Sequence, residues 1–174
     1  DAGDAKAAAV LEHGVRAFLP QLLEASGDRH ILNTGSINGL LPLPQVGVYS
    51  TSKYAVVGFS ETLHAELPAR GVGVSVLCPG GVRTQLLNSN RNRPKAQRGR
   101  TLSHDDVREV SDAVHDSPET AMEPNHVARI AFEGIHDDDL FILTHPNLEP
   151  MFEERTQRLH DAFEKCGLRN GSAA

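Results

Sequence analysis

A serine, a tyrosine and a lysine stand in one stretch of this chain at spacings suited to proton transfer. Ser36 is followed by twelve residues, then Tyr49, then Lys53 four positions on. Residues four apart on a helix share a face, so the Tyr49 phenol and the Lys53 ammonium can meet over one ligand. A free phenol has a pKa of about 10, too high for a base near neutrality, and a neighbouring ammonium favours the phenolate. So placed, Tyr49 could give or take a proton as a general acid or base. Ser36, at the end of a strand, could hold a ligand by a hydrogen bond. Each residue also has a plainer reading. Tyr49 can be a packed residue in the first turn of a helix, Lys53 a solvated charge, and Ser36 a loop hydroxyl.

The elements that must position these groups are legible from periodicity. Residues 1–26 read as a helix, with Leu11, Val15, Phe18, Leu19, Leu22 and Leu23 on one apolar face. Pro20 should kink or split it. Arg29 to Thr34 is a short buried strand that ends just before Ser36, and the carboxyl ends of such strands are where open α/β sheets hold ligands. A Gly/Pro-rich loop leads into a second helix, Tyr49 to Leu67, whose buried side is Val56, Val57, Phe59, Leu63 and Leu67. Pro68 and Gly71 stop it. Val72 to Leu77 is a near-continuous apolar run, the pattern of a parallel strand covered on both faces. Strand, helix and strand make a βαβ crossover.

Residues 85–121 lose periodicity and are polar, with five Lys or Arg between Arg91 and Arg100. Such a run is most simply a solvated loop, although it could grip a phosphate. Order returns after Met122. Pro124 opens a helix with Val127, Ile130, Ala131 and Ile135 on one side. Leu140 to Thr144 is a short strand, and Pro146 to Cys166 a last helix with Met151, Phe152, Leu159 and Phe163. No internal repeat and no second domain are visible.

With Asn33-Thr34-Gly35-Ser36 before the Tyr49/Lys53 pair and Pro79-Gly80-Gly81-Val82-Arg83-Thr84 after it, the chain resembles the short-chain dehydrogenase/reductase family. The likeness is closest between His13 and Thr84. It implies a Rossmann-like α/β fold of three layers with a parallel sheet. It also implies NAD or NADP as cofactor, a small alcohol or ketone as substrate, and a homo-oligomer, dimer or tetramer. By this resemblance Ser36, Tyr49 and Lys53 are catalytic, and Tyr49 and Lys53 also bind the cofactor, Lys53 through the nicotinamide ribose. Pro79, Gly80, Val82 and Thr84 would orient the nicotinamide carboxamide, which fixes the ring face that gives the hydride. Asn33 braces the strand end. Residues 85–121 become a substrate-side flap of one partial domain spanning 1–174.

The resemblance has gaps. The family's first half carries a Gly-rich turn that cradles the pyrophosphate at a helix N-terminus, and that turn is not in this sequence. The residue that chooses between NAD and NADP, and the Asn-Asn-Ala-Gly stretch, are missing too. A further family Asn, which holds a water in the proton relay, aligns near Ala7, where Lys6-Ala7-Ala8-Ala9 offers no amide. The expectation is the carboxyl-terminal half of a longer enzyme. The alternative is a truncated, non-catalytic relative acting through subunit contacts. Three parallel strands alone would also leave a long edge unpaired.

Composition narrows the classes. A length of 174 residues with 39% hydrophobic content can bury a core. A net charge of −6 argues against nucleic acid or anionic membrane as partner. No apolar run approaches a membrane span. Two distant cysteines suggest reduced thiols in a cytoplasmic protein, with Cys78 a small core residue. His136-Asp137-Asp138-Asp139 and His104-Asp105-Asp106 bring metal-type ligands close in sequence, but adjacent residues rarely converge on one ion, and no metal is expected. No Gly-x-Ser-x-Gly elbow surrounds Ser36, which weighs against a hydrolase.

Overall fold

A computed structural model describes residues 5–44, 46–86, 92, 94–97 and 121–169. It divides into two compact units, Asp1–Thr144 and His145–Ala174. In the first, helix α1 (Ala5–Glu24) leads to strand β1 (His30–Thr34) and helix α2 (Gly47–Glu66) to strand β2 (Gly73–Cys78). Helix α3 (Pro124–His136) then leads to strand β3 (Phe141–Leu143). The three strands pair in parallel in the order β1-β2-β3, with Ile31 opposite Val74 and Val76 opposite Phe141.

Alternation along β2 builds the layers. Val72, Val74, Val76 and Cys78 point to one face, where Val56, Val57, Leu63 and Leu67 of α2 and its end meet them. Leu11, Val15, Leu19 and Leu23 of α1 close that layer. Leu77 points the other way, onto Val127 and Ala131 of α3 and Ile142 of β3. Helices therefore cover both faces of a parallel sheet, and β2 is buried almost end to end. The expected α/β fold of three layers is what forms. Cys78 is a core residue, as its place in the apolar run implies, and burial pushes its thiol up to about 11.

Some details depart from expectation. Pro20 lies inside α1 without dividing it. A proline removes one amide donor, and the turns on either side still close. Phe18, expected on the apolar face, is 64% exposed, and Phe59 is only half-buried. Residues 87–91, 93 and 98–120 lie outside the described residues, so most of the expected flap, the basic run and His104-Asp105-Asp106 go with them.

β1 is an edge strand, and it is less covered than β2. Ile31 and Leu32 are half-buried where Val72, Val74 and Val76 of β2 are sealed. Gly35 N–H donates to Leu77 O and Gly73 N–H to Arg29 O, which sets the parity of the ladder. Odd-numbered residues of β1 bond to β2, and the peptide groups of His30, Leu32 and Thr34 face outward. A cavity of about 380 Å³, lined by Leu11, Val15, Phe18, Leu22, Ile31 and Asn33, lies between α1 and β1.

At the amino end of the sheet, His30 Nε2 lies 2.8 Å from Ser75 Oγ, and Ser75 Oγ donates to Asp139 O at 2.5 Å. His30 Nδ1 is 3.7 Å from Asp138. A Cβ on Gly73 would stand 2.7 Å from the Asp138 carboxylate and closer still to the His30 ring, so a larger residue there would have to displace the bridging side chains. His, Ser and Asp suggest a nucleophilic triad, but Ser75 is wholly buried and its proton is committed to a carbonyl. It is a clamp from β1 through β2 to the turn before β3. It also gives Asp138 and Asp139 a structural task.

In the second unit a short turn at Pro146–Leu148 precedes helix α4 (Glu149–Arg169). The expected apolar face of this helix is not buried. Phe152, Leu159 and Phe163 are 41%, 47% and 77% exposed.

Candidate active site

The carboxyl end of β1 is tied down on three sides. Gly35 N–H donates to Leu77 O and Ile37 N–H to Pro79 O, fastening the strand end to the end of β2. Ser36 is buried and extended, and its hydroxyl accepts from Asn38 N–H at 3.2 Å, capping the single turn Ile37–Gly39. That turn lies directly on α2. A Cβ on Gly39 would come within 2.6 Å of Lys53 O and 2.7 Å of a Val57 methyl, a contact only glycine permits. Tyr54 Oη donates to Leu40 O at 2.7 Å and closes the same junction. One turn further along α2, Ser60 Oγ accepts from Asn33 Nδ2 at 2.9 Å and donates to Val56 O at 2.7 Å. Asn33 thus braces the strand end, as its position suggested.

Tyr49 and Lys53 sit on one face of α2, as their spacing requires. The Lys53 ammonium lies 5.7 Å from the centre of the Tyr49 ring, within cation–π range. It also donates to Thr34 O at 3.1 Å, an outward-facing carbonyl two residues before Ser36. Burial lowers the Lys53 pKa, while the Cys78 thiol acts in the opposite sense. The lysine, the tyrosine ring and the serine loop therefore gather at the ends of β1 and β2. That gathering is the part of the candidate site the structure brings together.

The segment after β2 is held separately. Val82 bridges to Met122 in parallel, with Met122 N–H donating to Gly81 O and Arg83 N–H to Met122 O. This bond pattern leaves the Val82 N–H on the opposite side of the strand from Met122. Val82 O accepts from Thr84 N–H at 2.7 Å, and Thr84 Oγ1 accepts from Leu86 N–H at 3.3 Å. Pro79 contributes its carbonyl to the β1 end, and Gly80 follows it at the mouth of β2. Arg83 pairs with Glu123 at 2.8 Å, which pins the turn from outside.

Residues 9–95 match the profile of the family described as short chain dehydrogenase. The chain belongs to the short chain dehydrogenase family. Among its relatives, the C alpha-dehydrogenase of a Sphingobium species is 26% identical over 86% of this chain and 48% of its own length. A CLA biosynthesis dehydrogenase/reductase of Lactiplantibacillus plantarum is 28% identical over 84% of this chain and 53% of its own. A Burkholderia phymatum short chain dehydrogenase/reductase, solved in complex with NAD, superposes with a TM-score of 0.73 at 35% identity. That likeness covers 86% of this chain and 54% of the solved one. The chain spans about half the length of the curated relatives it matches.

Two short chain dehydrogenase residues at this site escaped sequence reasoning. Gly39 and Tyr54 press the serine loop onto α2, yet each belongs to a contact between segments far apart in the chain. The only local signal was a lone glycine three residues after Ser36. Among the described residues no helix is long and apolar enough to cross a membrane.

Proposed function

We propose that this chain is the catalytic and substrate half of an NAD(P)-dependent oxidoreductase, moving a hydride between NAD or NADP and a small alcohol or ketone. The observation that carries the reading is the Lys53 ammonium seated between the Tyr49 ring and the Thr34 carbonyl, two residues before Ser36. In this reading Tyr49 gives its phenolic proton to the substrate oxygen, or takes one from it. Ser36 holds the same oxygen. Lys53 keeps an ammonium at the ribose side of the site and orients the phenol.

The residues after β2 fit a nicotinamide. The Val82 N–H stands clear of the Met122 bridge, and the Thr84 hydroxyl keeps a proton to donate, so a carboxamide would find a donor at each. Pro79 and Gly80 set the course of the backbone there. When bound, the nicotinamide supplies or accepts the hydride. The open outer edge of β1 and the sequence without a Gly-rich turn support a pyrophosphate cradle contributed by residues outside this chain. Residues 1–174 are then part of one Rossmann-type domain, with 85–121 as the substrate-side flap. A homo-oligomer in the cytoplasm completes the reading, with buried thiol Cys78 suited to a reducing compartment.

The test is a titration of the purified chain with NADH and NADPH, read by the emission of the reduced nicotinamide, beside turnover of a panel of secondary alcohols. Tyr49→Phe should lower turnover by about 10²–10⁴-fold while nucleotide affinity stays within a few-fold. Turnover retained by Tyr49→Phe removes the phenol from its role. A folded chain that binds neither nucleotide is not by itself the working enzyme, and the subunit-contact alternative then gains.

A further inference from the structure

Asn33 and Ser60 form a polar pair inside an apolar layer. Asn33 lies opposite Val76 in the ladder and shares its face, which packs against Val56 and Val57 of α2. Asn33 is 5% exposed and Ser60 not at all. Burying an amide and a hydroxyl where valines would fit gains little stability even when both are bonded, because each gives up its water. What such a pair supplies that valines cannot is direction.

The pair is fully specified. Ser60 Oγ donates to Val56 O at 2.7 Å, so its proton is committed and its lone pair faces the sheet. Only the amide nitrogen of Asn33 can answer it, at 2.9 Å. That bond joins α2 to the residue just before Thr34, whose carbonyl accepts from the Lys53 ammonium. Lys53 and Ser60 are seven positions apart, about two helical turns, and so share a face. One helix face is thus fastened to two consecutive residues of one strand. Apolar contact depends on area and has no direction, so α2 could slide or roll slightly over Val74 and Val76 at little cost. A shift by one residue moves the helix about 1.5 Å along its axis, and hydrogen bonds of 2.9 and 3.1 Å do not survive it. Two further bonds reach α2. Tyr54 Oη donates to Leu40 O in the serine turn, and His64 Nδ1 lies 3.0 Å from Val74 O, a further turn away from Lys53. Neither of them ends on β1.

We propose that Ser60 and Asn33 are positioning residues, whose bond fixes the register of α2 on β1 and so holds the Lys53 ammonium at the Thr34 carbonyl. Neither side chain belongs to the reacting groups, and both act through Lys53. The catalytic consequence rests on the role proposed above for Lys53. The register does not, and it can be read without turnover.

The test is nitrogen-15 NMR of the lysine ammonium groups in the 174-residue chain. The sequence has four lysines, and the Lys53 signal is the one that Lys53→Arg removes. The Lys53 ammonium is half-buried and bonded, so its protons should exchange slowly and its pKa should lie below the ordinary lysine value of 10.5. Ser60→Ala deletes one oxygen and adds nothing to the core. Asn33→Leu with Ser60→Ala replaces the whole pair by apolar groups of similar shape, which should keep the urea midpoint near that of the native chain. In both variants Lys53 proton exchange should quicken about tenfold or more, and its pKa should rise toward 10.5. In any active form kcat should fall by about tenfold to a hundredfold with KM within a few-fold. A Lys53 signal unmoved in both variants would overturn the proposal. So would a Ser60→Ala chain that fails to fold, since the bond would then hold the fold and not the register. A Lys53 signal that moves in a chain turning over no substrate would support the register and count against the proposed reaction.

Discussion

Lys53 is the residue on which the site turns, because one ammonium answers to a ring, a carbonyl and a half-buried setting at once. Its bond to Thr34 O anchors it at the end of β1, and its position on α2 is in turn set by the contact beneath Gly39. That glycine has no freedom to change. A methyl there meets Lys53 O at 2.6 Å, and because the obstacle is backbone, the turn Ile37–Gly39 and not a side chain must move. Gly39→Ala should therefore cost about 1–3 kcal/mol in urea unfolding, the usual range for overpacking. It should also shift Ser36 away from the Tyr49 face, so any turnover falls further than stability alone explains. An unchanged unfolding midpoint would show that the turn does not press on α2.

The strands are held at their amino ends by chemistry that senses acid. His30 is drawn into the His30–Ser75–Asp139 bridge, and burial lowers its pKa from the ordinary histidine value of 6.5, with Asp138 opposing and His64 assisting that shift. A histidine whose folded pKa lies below its unfolded value binds fewer protons when folded. Its contribution to stability is fully present above pH 6.5 and is lost as pH falls from there through the folded pKa. The thermal midpoint should decline over that window, before the carboxylates begin to titrate. His30→Gln should flatten the decline while lowering the midpoint at pH 8 through loss of the Ser75 contact. A decline of equal slope in the variant would assign the acid sensitivity to other groups. Asn33 of β1 and Ser60 of α2 do their bracing without a titratable group, so their contribution should not vary with pH.

At the scale of the molecule, the outer edge of β1 has no strand beside it among the described residues of the first unit. Parallel pairing makes a specific forecast for backbone exchange. The amides of Ile31, Asn33 and Gly35 face β2 and should be protected, while those of Leu32 and Thr34 face outward and should exchange quickly. If the edge is completed by the dinucleotide-binding half, supplying that half should slow Leu32 and Thr34 by about tenfold or more and leave Ile31 and Asn33 nearly unchanged. Equal protection at odd and even positions in this chain alone would mean that the edge is already paired.

The sequence by itself determined the elements and the pairing of Tyr49 with Lys53, because helix and strand periods are local and a four-residue spacing can have only one consequence on a helix. It carried the family through Asn33 to Ser36 and Pro79 to Thr84, where short motifs keep their meaning wherever they occur. It also marked Val72 to Leu77 as a doubly covered strand, since an unbroken apolar run leaves no face for water. Tertiary structure alone decided that Lys53 bonds Thr34 O, that Gly39 lies on α2 and that His30 joins Ser75 and Asp139. Those contacts join segments up to 64 residues apart, and no local pattern encodes which distant partner a side chain will meet. The apolar period of α4 was legible too, but a period states only that a face seeks cover, not which surface supplies it.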